Sequence, residues 1–329
     1  MQLIDVLESR SDSVLIVDSP EKVEAHYRGQ WEFTLDDADY DITEDALNTL
    51  LNLLRIPIKY ITRCVEEEEE ASEHTYGMVL AENSINYWLE KYGDVSFLVT
   101  NSGDTKTITQ VFGGRKLYIP GVKINDLIFE YLGRKSKNVA VMNYTASDDM
   151  FGAVYITDEV YDILGGKCNL GVRVLYSDCF AITPRFDGVL VRADDQALVA
   201  FPTTGRKFRV AGSNIPIVFD QIEEFLDLSV DGLRETLIPA LERIADRSDQ
   251  ILHHKSDVID RLCAELRVSK KIKDEVNEWF EMENYFHDEM VSIIAQKTNN
   301  LPEDSNIDVE LARSIQIAMT NFVLRRSFK

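Results

Sequence analysis

The chain has 329 residues, of which 45% are hydrophobic and 28% charged, proportions typical of a globular protein and not of a disordered one. Its formal net charge of −22 argues against attraction to nucleic acid or to an anionic membrane by bulk charge. The first residues lack the basic segment of a secretory signal, and no stretch reaches the roughly 18 apolar residues of a membrane-spanning helix. Four scattered cysteines suit reduced thiols. We therefore expect a cytoplasmic protein without disulfides.

Short strands followed by amphipathic helices are predicted for the first hundred residues. Residues 14–17 form an apolar run, and residues 31–35 alternate between apolar and polar side chains, as strands do. Thr43 is a predicted N-cap, and a later helix is predicted over residues 78–92 with Ile85, Trp88 and Leu89 inward. Residues 1–100 contain 7 basic and 22 acidic side chains, so they carry −15 of the net charge.

The middle of the chain, residues 101–215, is rich in predicted strands and nearly neutral, with 14 basic and 12 acidic side chains. Strand-like runs interrupted by one helix fit a mostly antiparallel sheet with flanking helices. One run, residues 95–99, lies just before this segment, and the others lie at residues 107–112, 139–144, 152–156, 172–176, 188–192 and 196–201. We thus predict an α+β body over residues 1–215.

Residues 216–329 are predicted to form an all-helical domain without strands. Side chains of one face recur there at alternating steps of four and three, a 3.5-residue period over more than three heptads in which Ser248 and Lys255 are polar and the rest apolar. The seam comprises Leu237, Leu241, Ile244, Ile251, Val258 and Leu262. A second helix repeats the period over residues 272–297, and a third covers residues 311–322. Two interpretations remain open, a three-helix bundle within a monomer and a coiled-coil-like arm through which the protein forms a homo-oligomer.

Motifs for metals, cofactors and catalysis are incomplete. Asp37, Asp39 and Asp41 begin a calcium-loop pattern, but the pattern has no glycine at position 6 and no glutamate at position 12. His253 and His254 precede Asp257 in a predicted helix, without the spacing of a zinc protease. No phosphate-binding glycine loop and no nucleophile elbow occur. We expect no metal, no cofactor and no catalytic residue, although an active site assembled from distant residues stays possible.

Basic side chains are grouped within the neutral middle segment and suggest a nucleic-acid-binding surface. Cations that bracket an aromatic ring suit backbone phosphates together with stacking on a base. The alternative is an exposed basic hairpin that balances the acidic region within the same molecule. The candidate nucleic-acid-binding residues are Arg206, Lys207, Phe208 and Arg209, then Arg134, Lys135 and Lys137, and finally Arg115 and Lys116.

Four short motifs resemble a phage- and plasmid-encoded family known as domain of unknown function 932. They lie at residues 54–61 (LRIPIKYI), 83–89 (NSINYWL), 171–178 (GVRVLYSD) and 206–212 (RKFRVAG). The sequence departs from the family at two points. Residues 191–194 stand where a Cys-x-Asn-Gly element is expected, and the histidine of the basic motif is missing. The resemblance implies a mobile-element origin, action inside a bacterial host and no established enzymatic activity.

Three functions are compatible with these patterns. The first is a non-enzymatic binding protein that contacts nucleic acid or its handling machinery through the basic middle segment. The second is an acidic inhibitor of a host DNA-handling or defence protein, whose first hundred residues imitate the charge of nucleic acid. The third is a structural component of a virion. A membrane partner is not expected.

Overall fold

The α+β fold class is confirmed by the computed structural model, in which mostly antiparallel sheets are accompanied by helices that dominate the C-terminal part. The chain divides into two compact units, unit 1 over Met1–Val122 and unit 2 over Lys123–Lys329. The structure describes residues 2–18, 20–69, 75–102, 105–113, 117–147, 150–180, 182–201, 208, 214–245, 252–302 and 305–327. Within these residues, no helix combines the length and the apolar character that crossing a membrane requires.

Unit 1 is built on a six-stranded sheet with the order β1-β5-β6-β4-β3-β2, in which only the β4–β6 pair is parallel. Its elements are α1 (Leu3–Ser13), β1 (Val14–Asp18), β2 (Val23–Tyr27), β3 (Trp31–Leu35), β4 (Ala38–Ile42), α2 (Glu44–Leu54), α3 (Ile58–Glu69), α4 (Tyr76–Tyr92), β5 (Val95–Ser102) and β6 (Thr105–Gly113). Alternation in β3 buries Trp31, Phe33 and Leu35. Thr43 caps α2 as predicted, because its hydroxyl oxygen accepts the Ala46 N–H at 3.3 Å.

Helix α4 closes the free edge of β2 with two of its side chains. The Ala25 N–H donates to Asn86 Oδ1 at 2.6 Å, and Asn86 Nδ2 donates to the Ala25 carbonyl at 3.1 Å. The Tyr27 N–H donates to Glu82 Oε1 at 2.7 Å. Since these groups occupy backbone positions that a further strand would use, the edge is blocked and the orientation of α4 is fixed.

Unit 2 is built on a five-stranded antiparallel sheet with the order β11-β10-β9-β8-β7 and a separate β12–β13 ribbon. Its elements are α5 (Gly121–Lys135, which starts just before the unit boundary), β7 (Val139–Ala146), β8 (Met150–Ile163), β9 (Gly166–Ser177), β10 (Arg185–Arg192), β11 (Leu198–Phe201), α6 (Ile215–Gly232), α7 (Ile238–Ala245), β12 (Leu252–His254), α8 (Lys255–Leu266), α9 (Lys270–Glu278), β13 (Asn284–Phe286), α10 (His287–Asn299) and α11 (Val309–Ser327). A π-helical turn, Leu233–Leu237, joins α6 to α7.

The C-terminal helices pack against the second sheet, whereas the sequence analysis placed a domain boundary at residues 215–216. Helix α6 approaches β10 so closely that a Cβ on Gly188 would lie 2.5 Å from the Ser229 carbonyl oxygen. The Ser229 hydroxyl donates to the Phe186 carbonyl at 2.8 Å, and the Thr320 hydroxyl donates to the Ala200 carbonyl at 2.6 Å. Helices and sheet therefore share one core within unit 2, and the chain passes from one compact unit to the other after Val122.

The two long heptad helices of the sequence analysis are wrong. Helix α7 ends at Ala245, and β12 separates it from α8. In the same way, β13 separates α9 from α10 within the second predicted helix. The period of 3.5 residues reflects short helices that each bury one face in unit 2, and such helices share this spacing with a coiled coil.

Helix α11 is held on the middle of the sheet by a buried carboxylate. Asp187 of β10 is 1% exposed and accepts from Arg313 Nε and Nη2 of α11, both at 2.6 Å. Arg173 of β9 donates to the same carboxylate at 3.2 Å and to Gln316 Oε1 at 3.0 Å. Two guanidinium groups thus share one carboxylate between the sheet and the helix.

Candidate protein interface

The predicted basic cluster on α5 is largely paired with carboxylates of α6. Arg134 Nη2 lies 2.6 Å from Glu223, and Lys135 Nζ lies 2.6 Å from Asp227. Tyr131 donates its hydroxyl proton to Asp227 at 2.6 Å, and burial, followed by that carboxylate, raises the pKa of Tyr131. Lys137 is exposed. Arg134 and Lys135 therefore fasten one helix to another, which leaves less positive charge for a phosphate backbone than the sequence suggested.

The role predicted for Phe208, stacking on a nucleic-acid base, is wrong. Its side chain is buried, and its ring centroid lies 5.7 Å from that of Phe225 and 6.1 Å from that of Phe180. An aromatic ring in such a cluster is removed from water by its own chain. The remaining members of the two other basic clusters lie outside the described residues; they are Arg206, Lys207, Arg209, Arg115 and Lys116.

The predicted self-association seam is also buried inside unit 2. Its described members are at most 9% exposed: Leu237, Leu241, Ile244, Val258 and Leu262. Ile251 lies outside the described residues. Side chains that already fill the core of their own unit cannot form the contact between two copies, so this assignment is wrong.

The residues of the two incomplete metal motifs lie in surroundings that differ from those the sequence indicated. Asp39 and Asp41 are on β4, where they accept from Thr34 at 2.6 Å and from Gln30 at 2.9 Å, respectively. His253 is on β12 and not on a helix, and its Nε2 lies 3.1 Å from Nδ1 of His287. Within the described part of the chain, no three His, Cys, Asp or Glu side chains are grouped so that they could hold a metal ion.

Helix α4 carries several large side chains that are exposed to solvent, four of which are aromatic. Its inner face buries Met78, Ala81, Ile85 and Leu89 at helical spacing. The exposed fractions on the outside are 78% for Tyr76, 42% for Leu80, 53% for Tyr87, 49% for Trp88 and 45% for Tyr92. We call these five residues the α4 aromatic face.

The members of the α4 aromatic face are held in a defined arrangement. At about 100° per residue, Tyr76, Leu80 and Tyr87 fall within a sector of roughly 40°. The rings of Tyr87 and Trp88 meet edge to face with centroids 5.4 Å apart, and Lys91 Nζ lies 5.7 Å from the Tyr87 centroid. On the same wheel Trp88 lies about 100° and Tyr92 about 140° from Tyr87, so the exposed side chains cover two neighbouring sides of α4, which the contact between Tyr87 and Trp88 connects.

Carboxylates border the α4 aromatic face at both ends. At its start, a Cβ added to Gly77 would lie 3.1 Å from Glu67 Oε2 of α3, and Glu68 Oε2 accepts the Thr75 N–H at 2.6 Å. At its end, Glu90 and Asp94 are exposed. The arrangement is an apolar centre with an acidic rim, which is the anatomy of a protein–protein interface.

This surface was not predicted from the sequence, because Trp88 was expected to lie in the core. The inward prediction is confirmed for Ile85 and Leu89 and wrong for Trp88, which is half exposed. A signal was present in the sequence. Met78, Ala81, Ile85 and Leu89 already complete one helix face, so the aromatic side chains of α4 were in excess of what that face can bury.

Comparison of the chain with protein-family models, with curated proteins and with solved structures finds no match. The resemblance to domain of unknown function 932 stays a prediction made from its short motifs. Functional inference therefore depends on the chain's own geometry and charge.

Proposed function

We propose that this chain is a non-enzymatic binding protein whose acidic unit 1 captures a basic protein partner through the α4 aromatic face. The observation that carries this proposal is the exposure of Tyr76, Tyr87, Trp88 and Tyr92 on a single helix. Apolar side chains scattered singly over a surface need no explanation, but several exposed aromatic side chains on one helix, bordered by carboxylates, are typical of a binding site.

The aromatic side chains supply the affinity in this proposal. Tyrosine and tryptophan are enriched among the residues that dominate interface energetics, and truncation of such an anchor commonly costs about 2 kcal/mol or more. Tyr87 and Trp88 are the best anchors, because they lie next to each other and their edge-to-face contact orders both rings before binding. Preordered side chains lose less conformational entropy when a partner covers them.

The charge of unit 1 selects the partner. Residues 1–100 carry a net charge of −15, and the carboxylates of Glu67, Glu90 and Asp94 lie at the ends of the face. A partner with a basic rim around an apolar centre would be steered to this surface and held in register there. The resemblance to a mobile-element family makes a basic DNA-handling or defence protein of a bacterial host our choice of partner.

A protein partner is favoured over direct contact with nucleic acid by the placement of the described basic residues. Arg134 and Lys135 are paired with carboxylates, and Phe208 is buried. Nucleic-acid binding through the remaining clusters stays a prediction of the sequence analysis.

Photo-crosslinking tests the proposal at the anchor itself. A photoreactive phenylalanine analogue would replace Tyr87, and irradiation in nuclease-treated bacterial lysate would mark any protein in contact. We expect one predominant adduct to a protein of basic isoelectric point. Binding of that purified protein to the wild-type chain should weaken as salt rises, since screening reduces the attraction between the charged rims.

A double variant and a matched control decide the outcome. Tyr87→Ala with Trp88→Ala should weaken binding of the purified partner at least tenfold, whereas Val309→Ala, at an 81% exposed apolar position of α11, should leave it unchanged. Equal binding by the double variant would refute the role of the face. An adduct formed only with acidic proteins would refute the choice of partner. An adduct with nucleic acid, formed in lysate that has not been treated with nuclease, would refute it as well.

A further inference from the structure

The turn between α8 and α9 concentrates positive charge in an otherwise acidic chain. Residues 267–273 (RVSKKIK) contain four cations and no carboxylate, and no other seven-residue stretch of the sequence contains as many cations. The four are Arg267, Lys270, Lys271 and Lys273, which we call the cationic turn. None of them belongs to the basic clusters that were predicted to bind nucleic acid, so the cationic turn is an additional charged surface.

Three of these four cations are exposed and have no carboxylate partner within the described part of the chain. They are Arg267, Lys270 and Lys271. The fourth, Lys273, forms an ion pair with Asp260 of α8, in which Nζ lies 2.5 Å from the carboxylate. The basic side chains at the end of α5 are different, because carboxylates of α6 neutralise them. The cationic turn therefore keeps most of its charge available to a partner.

The charges of α9 run against the dipole of the helix. Its three lysines stand among its first four residues, at the end where the dipole is positive and cations are disfavoured. Its carboxylates, Asp274, Glu275 and Glu278, follow toward the end where anions are disfavoured. The reverse order, with glutamate before lysine, would support the helix better. The lysines therefore do not serve the stability of α9, and an arrangement that breaks a local rule in this way points to a function.

We propose that the cationic turn holds the phosphate backbone of a nucleic-acid duplex, without regard to base sequence. Lysine and arginine side chains bind such a backbone because they displace the counterions condensed on it, and each neutralised phosphate adds to the affinity. Residues 267–273 contain no aromatic side chain on which the bases of a single strand could stack. Contacts with phosphate position a protein on a duplex but do not read its sequence.

The composition of this surface favours nucleic acid over a protein or a membrane as the occupant. Protein interfaces have an apolar centre from which lysine is depleted, whereas interfaces with nucleic acid are more polar and more positive. Val268 and Ile272, the apolar residues of the cationic turn, are only partly exposed. A peripheral membrane contact would also need apolar side chains that enter the lipid. The surface offers positive charge alone, which is what a phosphate backbone requires.

The acidity of the chain limits the affinity of this contact without preventing it. Unit 2 contains 25 basic and 34 acidic side chains and carries −9. At physiological salt, exposed charges farther away than the Debye length of about 8 Å are largely screened. The contact uses residues of unit 2, whereas capture of a protein partner uses the α4 aromatic face of unit 1. Failure of either proposal therefore leaves the other standing.

Fluorescence anisotropy of labelled 20-base-pair duplexes with the full chain tests the proposal. Two DNA duplexes of unrelated sequence should bind within about twofold of each other, with a dissociation constant below about 1 mM at 50 mM salt. Three unpaired cations predict a slope of roughly −3 for the logarithm of affinity against the logarithm of salt concentration. An RNA duplex of the same length should bind within about threefold, because the shared phosphate backbone is the ligand.

A charge-reversal variant and a matched control assign the contact. Lys270→Glu with Lys271→Glu should weaken binding at least tenfold and reduce the slope by about two. Lys167→Glu with Lys297→Glu makes the same change of net charge at exposed positions elsewhere in unit 2 and should change the affinity less than twofold. Glutamates at the start of α9 suit the helix dipole, so the first variant should unfold at a urea concentration no lower than the control does.

Lysine acetylation of the wild type gives a second measurement that needs no variant. A water-soluble acetylating reagent, with mass spectrometry as the readout, should modify Lys270 and Lys271 more slowly when the duplex is present. Lys167 and Lys297 should keep their rates. This measurement decides the outcome even if the charge-reversal variant does not fold.

Four results would overturn the proposal. The first is no binding of the DNA duplex at 1 mM protein and 50 mM salt. The second is equal weakening by the charge-reversal variant and its control, or equal protection of all four lysines from acetylation. The third is a tenfold preference for one duplex sequence, or for DNA over RNA, since a contact with the backbone alone gives neither. The fourth is displacement of the duplex by polyglutamate or by phosphatidylglycerol vesicles as effective as that by unlabelled duplex at equal charge, which would assign the surface to an acidic protein or a membrane.

Discussion

The two units attach a helix to a sheet in different ways. In unit 1, Asn86 and Glu82 of α4 bond to the backbone of the edge strand β2. In unit 2, Arg313 of α11 bonds to the Asp187 side chain on β10, inside the sheet. The first attachment closes an edge with the Asn86 amide and the Glu82 carboxylate, which bond to backbone groups. The second buries a carboxylate between two guanidinium groups.

This difference places the polar attachment at another position in each sheet. A helix that bonds to edge backbone blocks that edge, as α4 blocks the edge of β2. A helix that bonds to a side chain in the middle of a sheet, as α11 bonds to Asp187, covers part of one face of the sheet. The position of the polar attachment thus decides which surface of the sheet each helix covers.

The largest effect is expected from removing the buried charge of unit 2. Asp187→Asn would leave Arg173 and Arg313 facing each other without the carboxylate that they share, and breaking a buried ion pair in this way costs about 3–5 kcal/mol. Burial already lowers the pKa of Arg173, which indicates that this cation depends on Asp187 for compensation. Urea unfolding followed by circular dichroism measures the loss.

Asp260→Asn is the matched control for that variant. Asp260 forms an exposed ion pair with Lys273 at 2.5 Å in the same unit, and exposed pairs contribute at most about 1 kcal/mol. Equal losses of unfolding free energy in the two variants would mean that the network at Asp187 contributes no more to stability than an exposed ion pair does.

An intermediate effect is expected from opening the edge of β2. Asn86→Ala leaves the buried N–H and C=O groups of Ala25 without their partners, at a cost of about 1–3 kcal/mol for each group that water does not reach. The loss should appear although alanine is the better helix former. Hydrogen exchange should accelerate in residues 23–27, while the peptides of unit 2 keep their rates.

Ser84→Ala provides the comparison on the same helix. The Ser84 hydroxyl donates to the Leu80 carbonyl within α4, so its removal should change stability by no more than about 0.5 kcal/mol. Equal exchange rates at residues 23–27 in the two variants would contradict edge closure by Asn86.

Local patterns predicted the elements well, and the partners of those elements poorly. Alternation predicted β3, and Thr43 predicted the start of α2, because both depend on neighbours in the sequence. The spacing of Leu237 and Leu241 indicated a helix face that is buried, but a sheet and a second copy demand the same spacing. Sequence alone could not say which of the two covers it.

The candidate sites were harder to predict, since exposure depends on the whole fold. Phe208 stands among cations in the sequence and was taken for an exposed ring, yet other phenylalanines far away in the chain bury it. Trp88 was assigned to the core for its size, although Ile85 and Leu89 fill the inner face of α4 without it. The deciding contacts of Phe208 are long-range, whereas the residues that fill the inner face of α4 could have been counted from the sequence.

The smallest effect is expected at the covered edge of the unit 2 sheet, where Asp195 closes the turn between β10 and β11. A hydrogen bond from Arg192 is the main cause that holds the pKa of Asp195 below its usual value, and the Ala197 N–H donates to the same carboxylate at 3.1 Å. The unfolded chain binds this proton more readily than the folded one. The contribution to stability is therefore complete above the ordinary aspartate pKa of about 3.9, and it is lost as the pH falls through the lower pKa of the folded state.

Asp195→Asn should accordingly cost about 1 kcal/mol at neutral pH and progressively less below pH 4. Unfolding of the wild type and the variant in urea between pH 2 and pH 7 measures the difference. A difference that stayed constant over this range would mean that Asp195 acts through its shape in the turn and not through its charge. A difference that vanished in acid would show that the charge of Asp195, through its ion pair with Arg192, supports the turn that leads into the strand covered by α10 and α11.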